Sequence, residues 1–259
     1  MGHLAPFGAG ESVFLRIIIM KPPEKLYHFH VANLQAIDAA MERVARALRD
    51  AIARNDTQTV DAFVRLYALL LGAWAECRLC KLLFESTGFI QQARADILEV
   101  SHQLDRWHKA VDTAFRTCYG VPRAPLSERS LPYSAFARFT AIQEALDDDL
   151  QGVIQLRNKL AHGQWAYPLN DRGDDVAQEQ MDALRVENLL SLQFKKTLLS
   201  YLCDTIHDLV VSRPTFERDF DAHYRLIVET RRNLRTRKYQ SYERQLREKH
   251  LRGRARAGR

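Results

Sequence analysis

Glycine, proline and cysteine are all scarce in this 259-residue chain, at 11, 8 and 4 residues. So few helix breakers exclude a loop-rich or collagen-like polypeptide and favour helices. Four separated cysteines, Cys77, Cys80, Cys118 and Cys203, are too few to staple a chain of this length. They read as reduced thiols in a cytoplasmic protein. No long hydrophobic run is present either. Val13 to Met20 is interrupted by Arg16 and is far too short to cross a bilayer, so no membrane partner is expected. Cys77-x-x-Cys80 has no second pair to complete a zinc site, and both thiols fall on the apolar face of a helix, where core packing explains them. Gly-rich phosphate loops, a nucleotide-binding fingerprint and a Ser/His/Asp nucleophile set are also missing. No cofactor or metal is expected.

Charge is plentiful but uneven. The net formal charge is +6. From Arg231 to Arg259 there are ten Arg and two Lys against Glu243 and Glu248, which is 12 − 2 = +10, so the remainder carries 6 − 10 = −4. A mildly acidic body with a basic arm follows. The arm suits a polyanion, because each phosphate contact releases counterions without regard to sequence. Arg231, Arg232, Arg235, Arg237 and Lys238 head the basic arm, and Tyr239 and Tyr242 interleave with it, placed to stack on unpaired bases. The plain alternative is a solvated, partly disordered tail.

Apolar periodicity predicts an all-α fold. A first helix covers Val31 to Asn55, and Asn55-Asp56-Thr57 forms a turn that caps a second, Thr59 to Ser86. The second is apolar almost all round and belongs at the centre of a bundle. A third spans Gln91 to Cys118, a fourth Ser134 to Ala161, and a fifth Arg185 to Val211. Pro214 opens a sixth that runs to about His250. Val13 to Met20 is a short strand or extended segment that Lys21-Pro22-Pro23 ends. The expected division is an N-terminal extension over 1–30, a helical domain over 31–212, and a terminal helix with its basic arm over 213–259.

The informative stretch is Gln155-Leu-Arg-Asn-Lys-Leu-Ala-His-Gly-Gln-Trp165, at the end of the fourth helix. On a regular helical wheel Leu146, Leu150, Val153, Ile154, Leu160 and Ala161 form one stripe, and Arg157 falls within it. A guanidinium stays charged, so an inward one has a carboxylate partner or lines a wet cleft. Glu76 is turned inward on the second helix by the same reasoning and is the simplest partner. Gly163 is placed to end the helix in the left-handed conformation. On an unbroken helix His162 would point about 140° away from Arg157, so the two converge only if the backbone turns at residues 161–163 or a second copy intervenes. Asp147-Asp148-Asp149 cannot converge on one ion and reads as a solvated face.

Arg157-Asn158, three residues, His162 and then Gly163 resembles the signature of the HEPN superfamily, all-helical domains with an Arg-x(4–6)-His site. The resemblance covers the motif and its helical frame. It implies a HEPN-like bundle of about five to six helices, and a metal-independent endoribonuclease acting as a homodimer. In that reading Arg157 clamps the phosphate and His162 serves as general acid and base, suited by an imidazole pKa near neutrality. Asn158 shapes the turn or touches substrate, and Glu76 completes the catalytic set. Lys159, Trp165 and the head of the arm bind RNA, Trp165 either by stacking or by sealing the bundle end. A toxin or antiphage role, with a cognate antitoxin or regulatory protein, goes with such a nuclease. Without catalysis, the same fold is an RNA-binding or protein-interaction module, with Arg157 in a structural ion pair and His162 capping its helix.

Overall fold

The structure is a computed structural model that describes residues 23–257, so Val13 to Met20 and most of the N-terminal extension lie outside it. Among the described residues every element is helical, and the one pairing of extended backbone is an isolated antiparallel bridge between Leu169 and Val176. No helix among them is long and apolar enough to cross a membrane.

The first helix, α1 (Pro23–Arg54), starts at Pro23 rather than Val31. Asn55, with φ +61°, turns the chain into α2 (Thr57–Leu83), whose N-terminus is capped by Asp56 accepting from the Thr59 N–H at 3.1 Å. As its apolar circumference requires, α2 runs through the middle: Val64, Ala68, Leu71, Trp74, Ala75 and Leu79 are all buried. It packs on α1 along its length, and on two further helices described below.

The expected third helix is two helices, α3 (Gln91–Leu98) and α4 (Gln103–Tyr119). β-branched Val100 and hydroxyl-bearing Ser101 are poor helix formers at the break, and Arg106 Nε donates to the Val100 carbonyl at 2.5 Å, satisfying an acceptor the break leaves. Gly120, at φ +66°, ends α4 in the left-handed conformation.

The fourth helix is continuous but irregular. α5 (Tyr133–Ala145) passes into a π-helical turn over Leu146–Leu150 and then α6 (Gln151–Ala161). The turn fits one extra residue into the helix, the Gln151 N–H bonding back to the Leu146 carbonyl. The wheel drawn through Asp147 at a constant angle therefore slips at this point. Leu146, Leu150, Val153, Ile154 and Leu160 are buried as expected, but Ala161 is exposed, and Leu156, outside the expected stripe, is buried.

The fifth helix is also divided. α7 (Gln178–Val186) arises where a polar connection was expected, and α8 (Leu189–Val211) follows. Asn188 and Ser191 form a reciprocal capping box that starts α8 afresh. The expected sixth helix is α9 (Arg213–Thr236), with Pro214 in its first turn, and α10 (Tyr239–Ala257), separated by an extended residue at Arg237. α8 and α9 pack as a pair, and α2 contacts both α6 and α8. α10 turns back and lies along α1, seating Tyr239, Tyr242 and Leu246 against the core. The described part of the basic arm is thus the end of α9 followed by α10, docked through its first turns, with both tyrosines partly buried against the core and residues 251–256 exposed.

Candidate active site

Arg157 leaves α6 toward α2, where Gly72 makes room for it. A Cβ on Gly72 would lie 2.6 Å from Arg157 Cγ and closer still to its Cβ. The missing side chain therefore lets the arginine stem cross directly over the α2 backbone. One turn further along α2, Glu76 meets the guanidinium, accepting a short charge-assisted hydrogen bond and ion pair from Nη2. The other terminal nitrogen, Nη1, donates to Asn158 Oδ1 at 3.0 Å. The ion pair is half-buried, the Arg157 side chain 26% and the Glu76 side chain 39% exposed.

Past Arg157 the helix ends in a defined cap. Gly163, at φ +77°, takes the left-handed conformation; its N–H donates to the Leu160 carbonyl at 3.1 Å and that of Gln164 to the Lys159 carbonyl at 3.0 Å. This paired pattern closes the C-terminal turn and satisfies two of its free carbonyls. His162 sits on the cap itself and is exposed, near the negative end of the helix dipole. The Trp165 indole N–H donates to Leu160 O at 3.0 Å, and Arg65 Nε donates to Trp165 O at 2.8 Å, so Trp165 seals the end of α6.

His162 opens onto a groove of about 640 Å³ between the end of α6, the loop that follows it and the start of α7. Gln155, Asn158, Gln164, Gln178 and Gln180 line it together with His162. Arg157 is absent from this lining. Within one chain Arg157 faces α2 and His162 faces α7, and Asn158, bonded to the first and lining the groove of the second, joins the two environments.

Several expected substrate contacts are already engaged. Lys159 Nζ donates to the Leu169 carbonyl at 2.6 Å and lies 3.6 Å from Asp171 Oδ1, pinning the loop instead of facing outward. Arg231 grips both Asp149 oxygens, Oδ2 from Nη2 at 2.5 Å and Nε at 2.9 Å and Oδ1 from Nε at 3.2 Å, with both side chains largely buried. It is thus a structural clamp and not a free phosphate contact. Arg232, Arg235, Arg237 and Lys238 are exposed. A second basic surface lies between α1 and α10, a groove of about 460 Å³ lined in part by Arg49, Lys249, His250 and Arg254.

The three aspartates are divided by the π-helical turn and do not form one solvated face. Asp147 meets His108 Nε2 on α4 at 2.8 Å, Asp148 is exposed, and Asp149 meets Arg231 on α9. The Asp147 and Asp149 pairs hold the root of the motif helix from two sides. Gly72 and this turn are the functional features sequence reasoning passed over. The signal for Gly72 was a lone glycine one turn before an inward Glu in an otherwise apolar helix.

The thiols sit in unreactive surroundings. Burial pushes Cys80 and Cys203 up to about 11, and Cys77 and Cys118 also above the ordinary thiol range. Compared with known protein families, with curated proteins and with solved structures, the chain matches none.

Proposed function

We propose that this protein is a metal-independent endoribonuclease of HEPN type, acting as a homodimer. One observation carries the reading. An arginine fixed across Gly72 by Glu76 is hydrogen-bonded to Asn158, and Asn158 lines the same groove as an imidazole exposed on a capped helix end. In cleavage, His162 takes the proton from the ribose 2′-hydroxyl as its oxygen attacks phosphorus. As the bond to the 5′-oxygen breaks, the imidazolium so formed returns the proton to that oxygen, and the products are a 2′,3′-cyclic phosphate and a 5′-hydroxyl. Arg157 stabilises the charge that builds on the phosphorane oxygens, a task for a planar, permanently charged fork. Because Arg157 and His162 open in different directions in one chain, a second copy completes the site. Ala161, His162 and Gly163 are all exposed and free to meet it. Such an activity fits a toxin or antiphage effector restrained by a cognate protein.

The test is purified protein with mixed RNA in excess EDTA. Cleavage that persists, and that His162→Ala lowers by about 10²-fold or more, supports the reading. A nuclease-free preparation that leaves RNA intact at every protein concentration overturns it. A second reading has its own support: both terminal nitrogens of Arg157 already have protein partners. A non-catalytic RNA-binding or protein-interaction module of the same fold would keep that pair permanently, and Arg157→Lys would then lower stability with no activity to lose.

A further inference from the structure

The groove beside His162 is lined by carboxamides, and each of four is held at one end only. Asn158 Oδ1 accepts from Arg157, and Gln164 Oε1 accepts from the Leu169 N–H at 2.8 Å. Gln155 Oε1 accepts from Gln180 Nε2 at 3.3 Å. A bound end fixes which way the other end presents. Asn158 Nδ2, Gln155 Nε2 and Gln164 Nε2 are left as donors, and Gln180 Oε1 as an acceptor. Gln178 adds a second acceptor, since its Nε2 is committed to Asp182 at 2.8 Å. Charge in the groove does not favour phosphate. Lys159 is tied to Leu169 and Asp171, and Glu179 also lines the wall.

We infer that this groove is a subsite for an unpaired pyrimidine base next to the scissile phosphate, read by Asn158, Gln155, Gln164 and Gln180. Neutral, oriented amides recognise base edges, whereas phosphates call for cations. Unpaired RNA is the form in which those edges are open. Among the free amide ends alone, three donors stand against two acceptors, which matches an edge with more acceptors than donors. A pyrimidine offers two acceptors and one donor group there, guanine one acceptor and two donor groups, adenine one of each. The volume is ample for one base, and His162 in the same lining sets the base beside the reacting phosphate. The placement next to that phosphate rests on the nuclease reading; the base preference does not.

The experiment is fluorescence-anisotropy binding of the full chain to 2′-O-methyl decamers of U, C, A and an abasic backbone, none of which can be cut. Binding of U or C about tenfold tighter than A or abasic is expected, the worth of one well-placed set of base hydrogen bonds. The paired change Gln155→Leu with Gln180→Leu removes that preference while leaving affinity for the abasic strand unchanged. Gln155→Glu, which replaces the free donor end by an acceptor, does the same if the leucine pair unfolds. Equal binding of all four strands, a purine preference, or a preference that survives these changes overturns the inference. Cleavage of the unmodified strands is followed in parallel. A pyrimidine preference without cleavage removes the nuclease reading and leaves the subsite standing.

Discussion

Arg157 is held by a carboxylate from one side and a carboxamide from the other, so its orientation depends on two neighbours with different jobs. Removing the carboxylate by Glu76→Ala should cost about 1 kcal/mol, a modest figure because the pair is partly exposed. For a chain of this size that is a drop of roughly 2–4 °C in Tm by calorimetry. RNA cleavage should fall further than that loss of stability explains, because the guanidinium is no longer aimed. Unchanged cleavage would leave Glu76 as a structural residue alone. His162, being exposed, should tolerate Ala with an unaltered Tm. A separate residue-scale effect concerns His30, which stacks on Phe84 at 5.0 Å and whose burial holds its pKa below the ordinary value. A depressed histidine favours the neutral form in the folded state, so its contribution is present above about pH 6.5 and fades on acidification through that point. Denaturant titrations from pH 7.5 to 5 should show a shallower loss of stability for His30→Phe than for the parent chain. The facing of Glu76 to Arg157 was legible in the sequence because two charged groups fell on inward stripes of two helices and each needed the other. The engagement of Lys159 and Arg231 was not legible: Lys159 depends on a loop carbonyl and Asp171, Arg231 on an aspartate 82 positions away.

Among the elements, α6 is set by its two supports, the glycine gap in α2 and the π-helical turn at its root. Gly72→Ala should destabilise the protein by about 1–3 kcal/mol, since the added methyl overlaps the Arg157 stem instead of filling space. A neutral outcome in urea denaturation would mean that α2 and α6 can part without loss. The π-helical turn contains one residue more than a regular helix, and of its two exposed members, Asp147 and Asp148, the first is paired with His108. Deleting Asp148 should let the turn become ordinary α-helix and keep α6 in register. Deleting Gln155, beyond the turn, should rotate everything after it by about 100° and abolish folding. Circular dichroism melts of the two deletions separate these outcomes. Most helices were legible from apolar spacing, and α2 as the central helix from its apolar circumference, but α7 was not, because its first turns are polar and read as a connection. The breaks at residues 99–102, 187–188 and 237–238 were not, because the apolar spacing runs on across them and local capping, as by Asn188 and Ser191, decides. The π-helical turn was hidden for a related reason: an extra residue leaves composition unchanged and only shifts phase.

For the whole molecule, the +10 segment is organised differently from what its composition suggested. Arg231 is used as a clamp, the described length from Tyr239 onward is a helix, and Tyr239, Tyr242 and Leu246 pack that helix against the core. Burial raises both tyrosine pKa values, in keeping with rings packed partly against the core. Truncation before Tyr239 should therefore lower Tm as well as nucleic-acid affinity, and so confounds the two. Arg252, Arg254 and Arg256 are exposed, and replacing all three with Gln should leave Tm in place. If they meet RNA, the slope of log K against log salt should flatten by up to about 2, at about 0.7 for each phosphate no longer neutralised on a single strand. An unaltered slope would assign the docked helix a purely structural role.

A positive helix pressed onto the body has a further consequence. A floppy cationic tail gathers polyanions from many directions and loses conformational freedom each time it settles on one. Here that freedom has already been given up to Leu246 and the two tyrosines. The spacing between guanidinium groups is therefore set in advance, and strands whose phosphates keep the same stride along α10 should be favoured over compact anions of equal charge.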